Sequence, residues 1–562
     1  MVIIVKELKG IPGAPGIAQG PVVLYKKNKG GGAAIDLDTA AKACLDNVRG
    51  LYEKTLRELG EEQAKIFSAY EMLLEDPMLL MPIQAAIDAG TPGVTAAVEE
   101  TKKLSEILAS KGGEYMRQRA DDIRYIGEML ADAISGETSS YVLPQGDVPF
   151  LLAAHELTPV DTMQFDASRL AGLVTELGGA TSHTVILAKS LGIPAVVGVK
   201  GLAEQVQGGE TGFLDGYTGE FVTEPDEKAR AGFAKKIEED RQLQAQIGTI
   251  KDEITHTLDG QRIAVCINIG KPQDLKGADE IQYDGVGLFR SEFLYSSSDK
   301  KPTPEQQREA YQKVIDTVAP NPVIIRTLDV GGDKQIAYLH MPQEENPFLG
   351  NRGIRLCLQN RAVFEEQLEA ILTAAAGKNV KIMLPMVTSV HEIEDTRHMI
   401  DEIKQKLDAA GIAYCREAQL GIMIETPASA IMAQQFAKHC DFFSIGTNDL
   451  VQYIMSADRG NAHVQHIYNP CHPAVVHMLA RVIDAGAKAG IEVSICGDLA
   501  ADLRFTKLLL GFGLKKFSVP LPMVGRIKYK IRNTDLKDAR ALAKRALDAE
   551  DETMISQLLE EE

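Results

Sequence analysis

Short apolar runs alternate with helical segments throughout the second half of the chain. Each run is followed by a stretch in which apolar residues recur at helical spacing. The runs lie at residues 263–268, 285–290, 323–330, 380–387, 420–426, 441–447, 493–497 and 517–520. Because eight strand–helix units over about 300 residues are typical of a (β/α)8 barrel, we predict a TIM barrel at residues 256–562.

The first half of the chain carries two other patterns. Between residues 33 and 143, apolar residues such as Leu45, Val48 and Leu51 recur at helical spacing, and strand-like runs are almost absent. Strand-like runs flank this stretch at residues 21–25, 149–154, 172–175, 195–198 and 211–215. We therefore predict a helical insertion, residues 33–143, that splits one small α/β domain formed by residues 1–32 and 144–224.

Turn residues and charge define the remaining segments. Residues 1–6, apolar up to Lys6, predict a first strand, whereas the Gly- and Pro-rich residues 10–20 predict a turn-rich entry to the strand at 21–25. Residues 225–255 are charged and rich in helix formers, which predicts a helical linker. The chain is thus expected to be an α/β multidomain protein that ends in the barrel.

Composition excludes several classes of protein. No apolar run approaches the roughly 20 residues that a membrane helix needs, and the start lacks the features of a signal peptide. The seven cysteines show no CxxC spacing, which argues against disulfides or zinc. A net charge of -19 argues against nonspecific nucleic-acid binding and allows a basic protein partner, although a well-solvated surface is the simpler explanation of charge alone. We expect a cytoplasmic protein.

One histidine follows a glycine pair at the predicted start of a helix. In the run Gly178-Gly-Ala-Thr-Ser-His183-Thr, the glycines let the backbone approach a bulky anion, and Thr181 or Ser182 can cap the helix. The free N–H groups and the helix dipole favour negative charge beside His183. His183 is therefore a candidate phosphoryl carrier, and the alternative is a residue that merely caps an ordinary helix.

Polar residues gather where the predicted barrel strands end. Four arginines can clamp the oxygens of a small, multiply anionic substrate, while Glu425 and Asp449 offer the hard oxygen ligands that suit Mg²⁺. Asn448 can add a hydrogen bond. The arginines are Arg290, Arg326, Arg352 and Arg459. The alternative is that these arginines and carboxylates simply form ion pairs with one another.

Cys496 ends the seventh predicted barrel strand. A buried cysteine is most often a small apolar residue. Its position at the barrel mouth instead favours chemistry, because a lone thiol there can donate or withdraw a proton at a carbon atom.

With the histidine turn, the insert, the linker and the barrel in this order, the chain resembles enzyme I of the bacterial phosphoenolpyruvate-dependent sugar phosphotransferase system along almost its whole length. The supporting segments are residues 178–183, 284–295, 329–334, 345–352, 421–427, 444–453 and 494–497. The resemblance implies that His183 takes the phosphoryl group of phosphoenolpyruvate on Nε2, with release of pyruvate. It also implies transfer from His183 to a histidine of the phosphocarrier protein HPr.

The same resemblance implies roles for the other site residues. Glu425 and Asp449 would bind Mg²⁺, and the four arginines with Asn448 would bind the substrate. Cys496 would protonate C3 of the enolate, and Thr162 would hydrogen-bond the imidazole before phosphorylation. The family further implies that HPr binds the insert, near residues 61–76, that the linker acts as a swivel, and that the barrel forms a homodimer.

The chain departs from the family pattern at two positions. Ala180 stands where many relatives carry a basic residue, and Asp498 replaces the more usual Glu after Cys496-Gly497.

Two alternative functions remain open. One is an enzyme like pyruvate phosphate dikinase, for whose nucleotide-binding domain this chain has no room, and the other is a non-catalytic phosphoenolpyruvate sensor or scaffold.

Overall fold

The structure is a computed structural model of the chain. It describes residues 6–28, 35–58, 61–110, 114–136, 138–140, 143–162, 165–178, 183–296, 300–331, 336–339, 341, 344–459, 461, 463–464 and 466–561. The chain divides into two compact units, Met1–Gln244 and Ala245–Glu562.

The first unit is built on a mixed sheet to which the described residues contribute nine strands. The strands are β1 (Lys6–Lys9), β2 (Ile11–Ala14), β3 (Ile17–Asn28), β4 (Thr138–Ser140), β5 (Phe150–Ala154), β6 (Leu170–Thr175), β7 (Ala195–Val197), β8 (Thr211–Asp215) and β9 (Glu220–Thr223). Their order is β1-β9-β8-β3-β5-β6-β7-β2, and β4 pairs with β3. Strands β3, β5, β6 and β7 run parallel, so their carboxyl ends meet at one edge of the sheet.

The insert between β3 and β4 is helical. In its described residues the helices are α1 (Leu37–Glu58), α2 (Glu61–Leu74), α3 (Pro77–Asp88), α4 (Gly93–Ser110) and α5 (Glu114–Ser135). Their apolar stripes bury a common core that includes Val48, Phe67 and Ile126. The carboxylate of Asp76 caps α3 by accepting the Met78 N–H at 2.8 Å. The insert therefore has a core of its own.

Further helices connect the later strands and lead out of the sheet. They are α6 (Pro159–Thr162), α7 (His183–Leu191), α8 (Leu202–Gln205) and α9 (Glu227–Ile250). Helix α9 begins on the first unit, where Phe233 packs on Phe213 with ring centroids 5.0 Å apart. The boundary between the two compact units, at Gln244 and Ala245, lies within this helix.

The second unit is a closed barrel of parallel strands. The strands are β10 (Ala264–Ile269), β11 (Val286–Arg290), β12 (Val323–Arg326), β13 (Val380–Leu384), β14 (Gln419–Ile424), β15 (Phe442–Gly446), β16 (Glu492–Cys496) and β17 (Lys516–Pro520). The helices are α10 (Glu292–Ser296), α11 (Pro304–Val318), α12 (Ile354–Gln359), α13 (Arg361–Ala374), α14 (Val390–Ala410), α15 (Pro427–Ile431), α16 (Ala433–Phe436), α17 (Thr447–Met455), α18 (Pro473–Ala489), α19 (Asp498–Ala501), α20 (Leu503–Gly511), α21 (Val524–Arg532), α22 (Leu536–Leu547) and α23 (Glu552–Glu560).

Both faces of the barrel strands are buried. Alternate residues face the barrel axis and form a small apolar layer, called the inner cluster here: Leu288, Ile324, Met383, Met423, Phe442 and Cys496. The residues between them, such as Ile325 and Ile445, pack in the large core that the strands share with the helices. This double burial explains why the strands read as nearly continuous apolar runs.

The barrel prediction is confirmed, since each of the eight predicted runs overlaps one barrel strand.

The prediction of a turn-rich segment at 10–20 is wrong, because strand β2 and the start of β3 lie there. A Cβ on Gly10 would lie 2.5 Å from the Val197 carbonyl oxygen, so this glycine permits close strand packing rather than a turn. The strand predicted at 1–6 lies outside the described residues except for Lys6. Within the described ranges, no helix combines the length and apolar character that crossing a bilayer requires.

A buried lysine links α21 to the segment that follows α9. The Lys528 ammonium group donates to the carbonyl oxygens of Lys251 and Gln282 at 3.1 and 3.0 Å, and to Gln282 Oε1 at 3.1 Å. Burial lowers the pKa of Lys528 to about 8. The group is therefore still mostly protonated at pH 7, where it satisfies three acceptors.

Replacing Lys528 with Met is expected to lower the stability of the second unit by about 2–3 kcal/mol, because buried acceptors lose their donor. Thermal unfolding of the full chain measures this as a lower midpoint. Lys488→Met is the matched control, since Lys488 is exposed and its ion pair is with Asp484, one turn away on the same helix. An equal shift in both variants would contradict the role given to Lys528.

Candidate active site

The candidate site lies directly above the inner cluster, at the carboxyl ends of the barrel strands. Two residues beyond cluster members on β11, β12 and β14 come Arg290, Arg326 and Glu425. Cys496 is itself a cluster member and ends β16. The strand periodicity of two therefore directs these side chains toward the barrel axis, on an apolar floor.

Two buried arginines are joined by one carboxylate. Asp329 Oδ2 lies 3.0 Å from Arg326 Nη1 and 3.1 Å from Arg352 Nη2. Arg326 Nη2 also donates to Glu292 at 2.7 Å, and Arg352 Nη2 to Asp449 at 3.3 Å. Burial disfavours charged arginines, but the surrounding carboxylates more than offset this and raise the pKa of both. Arg326 and Arg352 therefore form the ion pairs that the alternative interpretation predicts. Both arginines remain positively charged in the site.

Glu425 lies in the same buried cluster and adds a surplus negative charge to it when ionised. Its Oε1 accepts the Met386 N–H at 2.7 Å, and Met386 has the unusual φ of 59°. Burial is the main cause that raises the pKa of Glu425, and the charges of Asp329 and Asp449 raise it further. With Glu292, four carboxylates face two guanidinium groups, which leaves two negative charges uncompensated when all six are ionised.

The donor set at this point fits a divalent metal ion. Asp449 Oδ1 is buried and accepts no hydrogen bond within the described part of the chain. The described residues contain no ready-made group of three or more His, Cys, Asp or Glu ligands. Mg²⁺ commonly uses one or two carboxylates and completes its shell with substrate oxygens and water. Glu425 and Asp449, with their surplus charge and an unused oxygen, match that requirement.

The other predicted substrate ligands occupy the rim. Arg290 and Arg459 are exposed, and among the described contacts no ion pair joins either of them to the buried network. The backbone N–H of Arg459 donates to Gln452 Oε1 at 3.1 Å, which fixes the loop that carries this arginine. The positive charge of Arg290 lowers the pKa of the Cys496 thiol, although burial raises it by more. The structure therefore brings two of the four predicted arginines together and leaves two at the surface.

Asn448 is held by the turn that follows Cys496. Its Oδ1 accepts the backbone N–H of Asp498 at 2.8 Å. Gly497 has a φ of 91°, and a Cβ there would lie 2.6 Å from Asn448 Oδ1, so this position requires glycine. Because Asp498 contributes its backbone here, its departure from the family pattern leaves this contact unchanged.

Cys496 is 2% exposed and faces polar atoms of the neighbouring strand β15. Its thiol lies 3.5 Å from Ser444 Oγ and 3.5 Å from the Ile445 carbonyl oxygen. Burial is the main cause that raises the pKa of the thiol. The group is therefore held in the protonated form, as a proton donor requires.

His183 and Thr162 belong to the first compact unit. His183 is the first residue of α7, as predicted, and Gly178 before it has a φ of 108°. Thr162 is the last residue of α6. The side chains of His183 and Thr162 lie outside the described part of the structure. So do residues 179–182, with the predicted caps Thr181 and Ser182 and the departure at Ala180.

The sequence prediction missed the linking role of Asp329 and the contact of Tyr453 with Arg352. Tyr453 Oη accepts from Arg352 Nη1 at 3.3 Å and donates to the Phe348 carbonyl oxygen. Gly331, with a φ of 118°, gives the only sequence signal, because a Cβ there would lie 2.4 Å from Arg352 Cβ. A glycine two residues after an aspartate is too common to identify such a contact.

Three family models match the chain. The N-terminal domain of enzymes that utilise phosphoenolpyruvate (PEP) matches residues 9–119, their mobile domain matches residues 146–219, and their PEP-binding domain matches residues 244–536. The last match covers all eight barrel strands and every barrel residue of the candidate site.

Curated relatives match over nearly the full chain. The phosphoenolpyruvate-protein phosphotransferase of Listeria innocua is 39% identical over 99% of this chain and 99% of that protein. The protein of that name from Haemophilus influenzae is 38% identical over 99% of this chain and 98% of that protein. The one from Bacillus subtilis is 37% identical over 96% and 97%.

The charge surplus predicts opposite effects for two carboxylate substitutions. In metal-free protein, Glu425→Gln is expected to raise the unfolding midpoint near neutral pH by an amount equivalent to about 1–2 kcal/mol, because it removes a carboxyl group whose ionisation the folded site disfavours. The gain should grow as pH rises from the ordinary carboxyl range toward about 8, because the unfolded wild type then ionises Glu425 while the folded site keeps it protonated.

Asp329→Ala is the matched variant. It removes the shared partner of two buried arginines and is expected to lower stability by about 3 kcal/mol. Thermal melts in the presence of a chelator compare both variants with the wild type. A loss of stability in Glu425→Gln would contradict the proposed surplus of negative charge.

Proposed function

The chain belongs to the phosphoenolpyruvate-protein phosphotransferase family, and we propose that it transfers the phosphoryl group of phosphoenolpyruvate to Nε2 of its own His183, releases pyruvate, and then phosphorylates a histidine of the phosphocarrier protein HPr. One observation carries the proposal: the barrel mouth joins paired arginines, a metal-fitting carboxylate pair and a protonated thiol in one buried cluster.

The arginines suit a substrate with a phosphate and a carboxylate. Asp329 holds Arg326 and Arg352 in fixed positions, so their remaining N–H groups are oriented before the substrate arrives. Arg290 and Arg459, exposed at the rim, are free of this network and can close on the anion together with Asn448. Transfer of a phosphoryl group depends mainly on such positioning and charge neutralisation.

Glu425 and Asp449 would hold Mg²⁺. When bound, the ion neutralises the surplus negative charge of the cluster and balances charge on the phosphoryl oxygens. The two side chains also keep their backbone and arginine contacts, which orient them toward the substrate.

Cys496 would complete the donor reaction. When the bond between phosphorus and the bridging oxygen of phosphoenolpyruvate breaks, the phosphoryl group goes to His183 and the enolate of pyruvate remains. The Cys496 thiol then gives its proton to C3, which yields pyruvate and a thiolate that regains a proton from solvent. Its raised pKa keeps the thiol protonated until this step.

His183 must reach the barrel mouth and then leave it. His183 and the barrel belong to different compact units, and the boundary between the units lies within α9. We therefore assign the predicted swivel to this helix. We further propose, as the resemblance to enzyme I implies, that the chain forms a homodimer through the barrel and acts in the cytoplasm.

The helical insert offers a surface for HPr. Three methionines on or beside α2 and α3, Met72, Met78 and Met81, are 72%, 76% and 69% exposed. Glu71 and Glu75 lie on the same stretch of chain. Flexible apolar side chains beside acidic groups suit a partner with an apolar centre and a basic rim.

Incubation with Mg²⁺ and phosphoenolpyruvate labelled in the phosphoryl group tests the carrier role. We expect label that is labile in acid and stable in alkali on the wild type, with one pyruvate released per label, and no label on His183→Ala. Because His183→Ala leaves the barrel unchanged, it should still bind phosphoenolpyruvate. Binding without label on the wild type would instead support a sensor, and label on His183→Ala would assign another carrier.

Mn²⁺, a paramagnetic substitute for Mg²⁺, tests the metal ligands. Electron paramagnetic resonance should show Mn²⁺ bound by the wild type in the presence of pyruvate or oxalate. Asp449→Asn is expected to weaken this binding by at least about tenfold, because one of two carboxylates is lost. Asp441→Asn, on a carboxylate of the same barrel outside the site, serves as the control. Unchanged Mn²⁺ binding by Asp449→Asn would exclude this assignment.

A further inference from the structure

We infer that Arg124 and Tyr125 of the helical insert position the segment 155–162, called the bridge segment here, and thereby fix where an acceptor docked on the insert meets His183. The inference rests on the proposed function. It assigns positioning roles to two side chains of α5 that lie outside the reacting groups.

The insert holds the bridge segment through one carboxylate. Glu156 accepts from Arg124 Nη2 at 2.9 Å and from Nη1 at 3.2 Å, so the guanidinium grips both its oxygens. Tyr125 Oη donates to Glu156 Oε1 at 2.7 Å, and the Arg124 guanidinium lies 4.5 Å from the centre of the Tyr125 ring. Burial raises the pKa of Glu156, but the donors outweigh it and lower the pKa overall. A forked ion pair with a third donor has a defined geometry.

The residues after Glu156 pack into both parts of the first unit. Leu157 is buried in the apolar core of the sheet domain together with Ala188 of α7, the helix that His183 begins. The Leu157 carbonyl oxygen accepts from Thr184 Oγ1 at 3.4 Å. Val160 packs against the core of the insert. The bridge segment is therefore in contact with the insert on one side and with the histidine helix on the other.

The end of the bridge segment is fixed to the sheet. Asp161 Oδ2 accepts from the Thr158 N–H at 2.9 Å and from Thr158 Oγ1 at 2.7 Å, and Asp161 Oδ1 accepts from Tyr25 Oη of β3. These buried bonds set the turn of α6, whose last residue is Thr162. The segment that Arg124 and Tyr125 hold at Glu156 therefore ends, through this fixed turn, at the residue that is expected to orient the imidazole.

Covalent connection alone leaves the insert free to turn. The chain enters and leaves it at β3 and β4, which pair with each other, so the backbone forms a single attachment. The contacts of Glu156 and the packing of Val160 join the bridge segment, which follows β5, to the insert as well. These added contacts restrict rotation of the insert, and phosphoryl transfer between two histidines is sensitive to small displacements.

A double-mutant cycle on the full-length protein tests the inference. Arg124→Met, Glu156→Met and the double variant are loaded with labelled phosphoenolpyruvate and mixed with HPr, and kcat and the KM for HPr are measured. We expect each single variant to lose about tenfold in kcat, with the KM changed less than about twofold. The double variant should lose no more than a single one, since the same contact is absent in all three.

Two further variants keep the outcome clear. Lys6→Met removes an ion pair of 2.8 Å with Glu210 inside the sheet and should leave kcat unchanged. Tyr125→Phe removes one hydroxyl group, conserves the fold, and should give a smaller loss of kcat than Arg124→Met. Unchanged kcat in the variants, additive losses, or a rise in KM alone would overturn the inference. Those results leave the proposed function standing, whereas a wild type that takes no label refutes the function itself.

Discussion

Burying charge at the barrel mouth is the constraint on which the site depends. Asp329 pairs with two guanidinium groups at once and helps both to remain charged away from water, while Glu292 and Asp449 each hold one of them as well. The compensation is incomplete, because Glu425 and Asp449 add more negative charge than the arginines balance. A cation that binds the carboxylates would remove this repulsion, and the arginines remain charged for an anionic substrate. Stability lost in the empty site is recovered when the charges are complemented.

The inner cluster gives this arrangement its rigidity. Its apolar side chains close the barrel beneath the charged layer, so the polar residues rest on a packed floor. Because the same strands supply both layers, the spacing between floor and site is set by the strand geometry itself. Gly331 and Gly497 lack the Cβ atoms that would collide with Arg352 and Asn448.

The sequence predicts the barrel and most of its site because both depend on short-range periodicity. Residues such as Arg290 and Glu425 follow apolar strands directly, so their place at the mouth needs only the strand register. The link through Asp329 could not be predicted in this way, since it joins groups from different strand ends whose approach depends on packing. Strand β2 was missed for a related reason, because glycines that permit close packing look the same in sequence as glycines that form turns.

The pairing of β3 with β4 has a consequence for how the first unit folds. Asn28 and Thr138 are register partners although roughly 110 residues lie between them. The entropy of closing a loop grows only with the logarithm of its length, and a helical insert with its own core shortens the effective loop once it has formed. Local helix packing can therefore precede strand closure. Once folded, the insert holds the ends of β3 and β4 close together. Pairing of these two strands, which are distant in sequence, then requires only a short-range search.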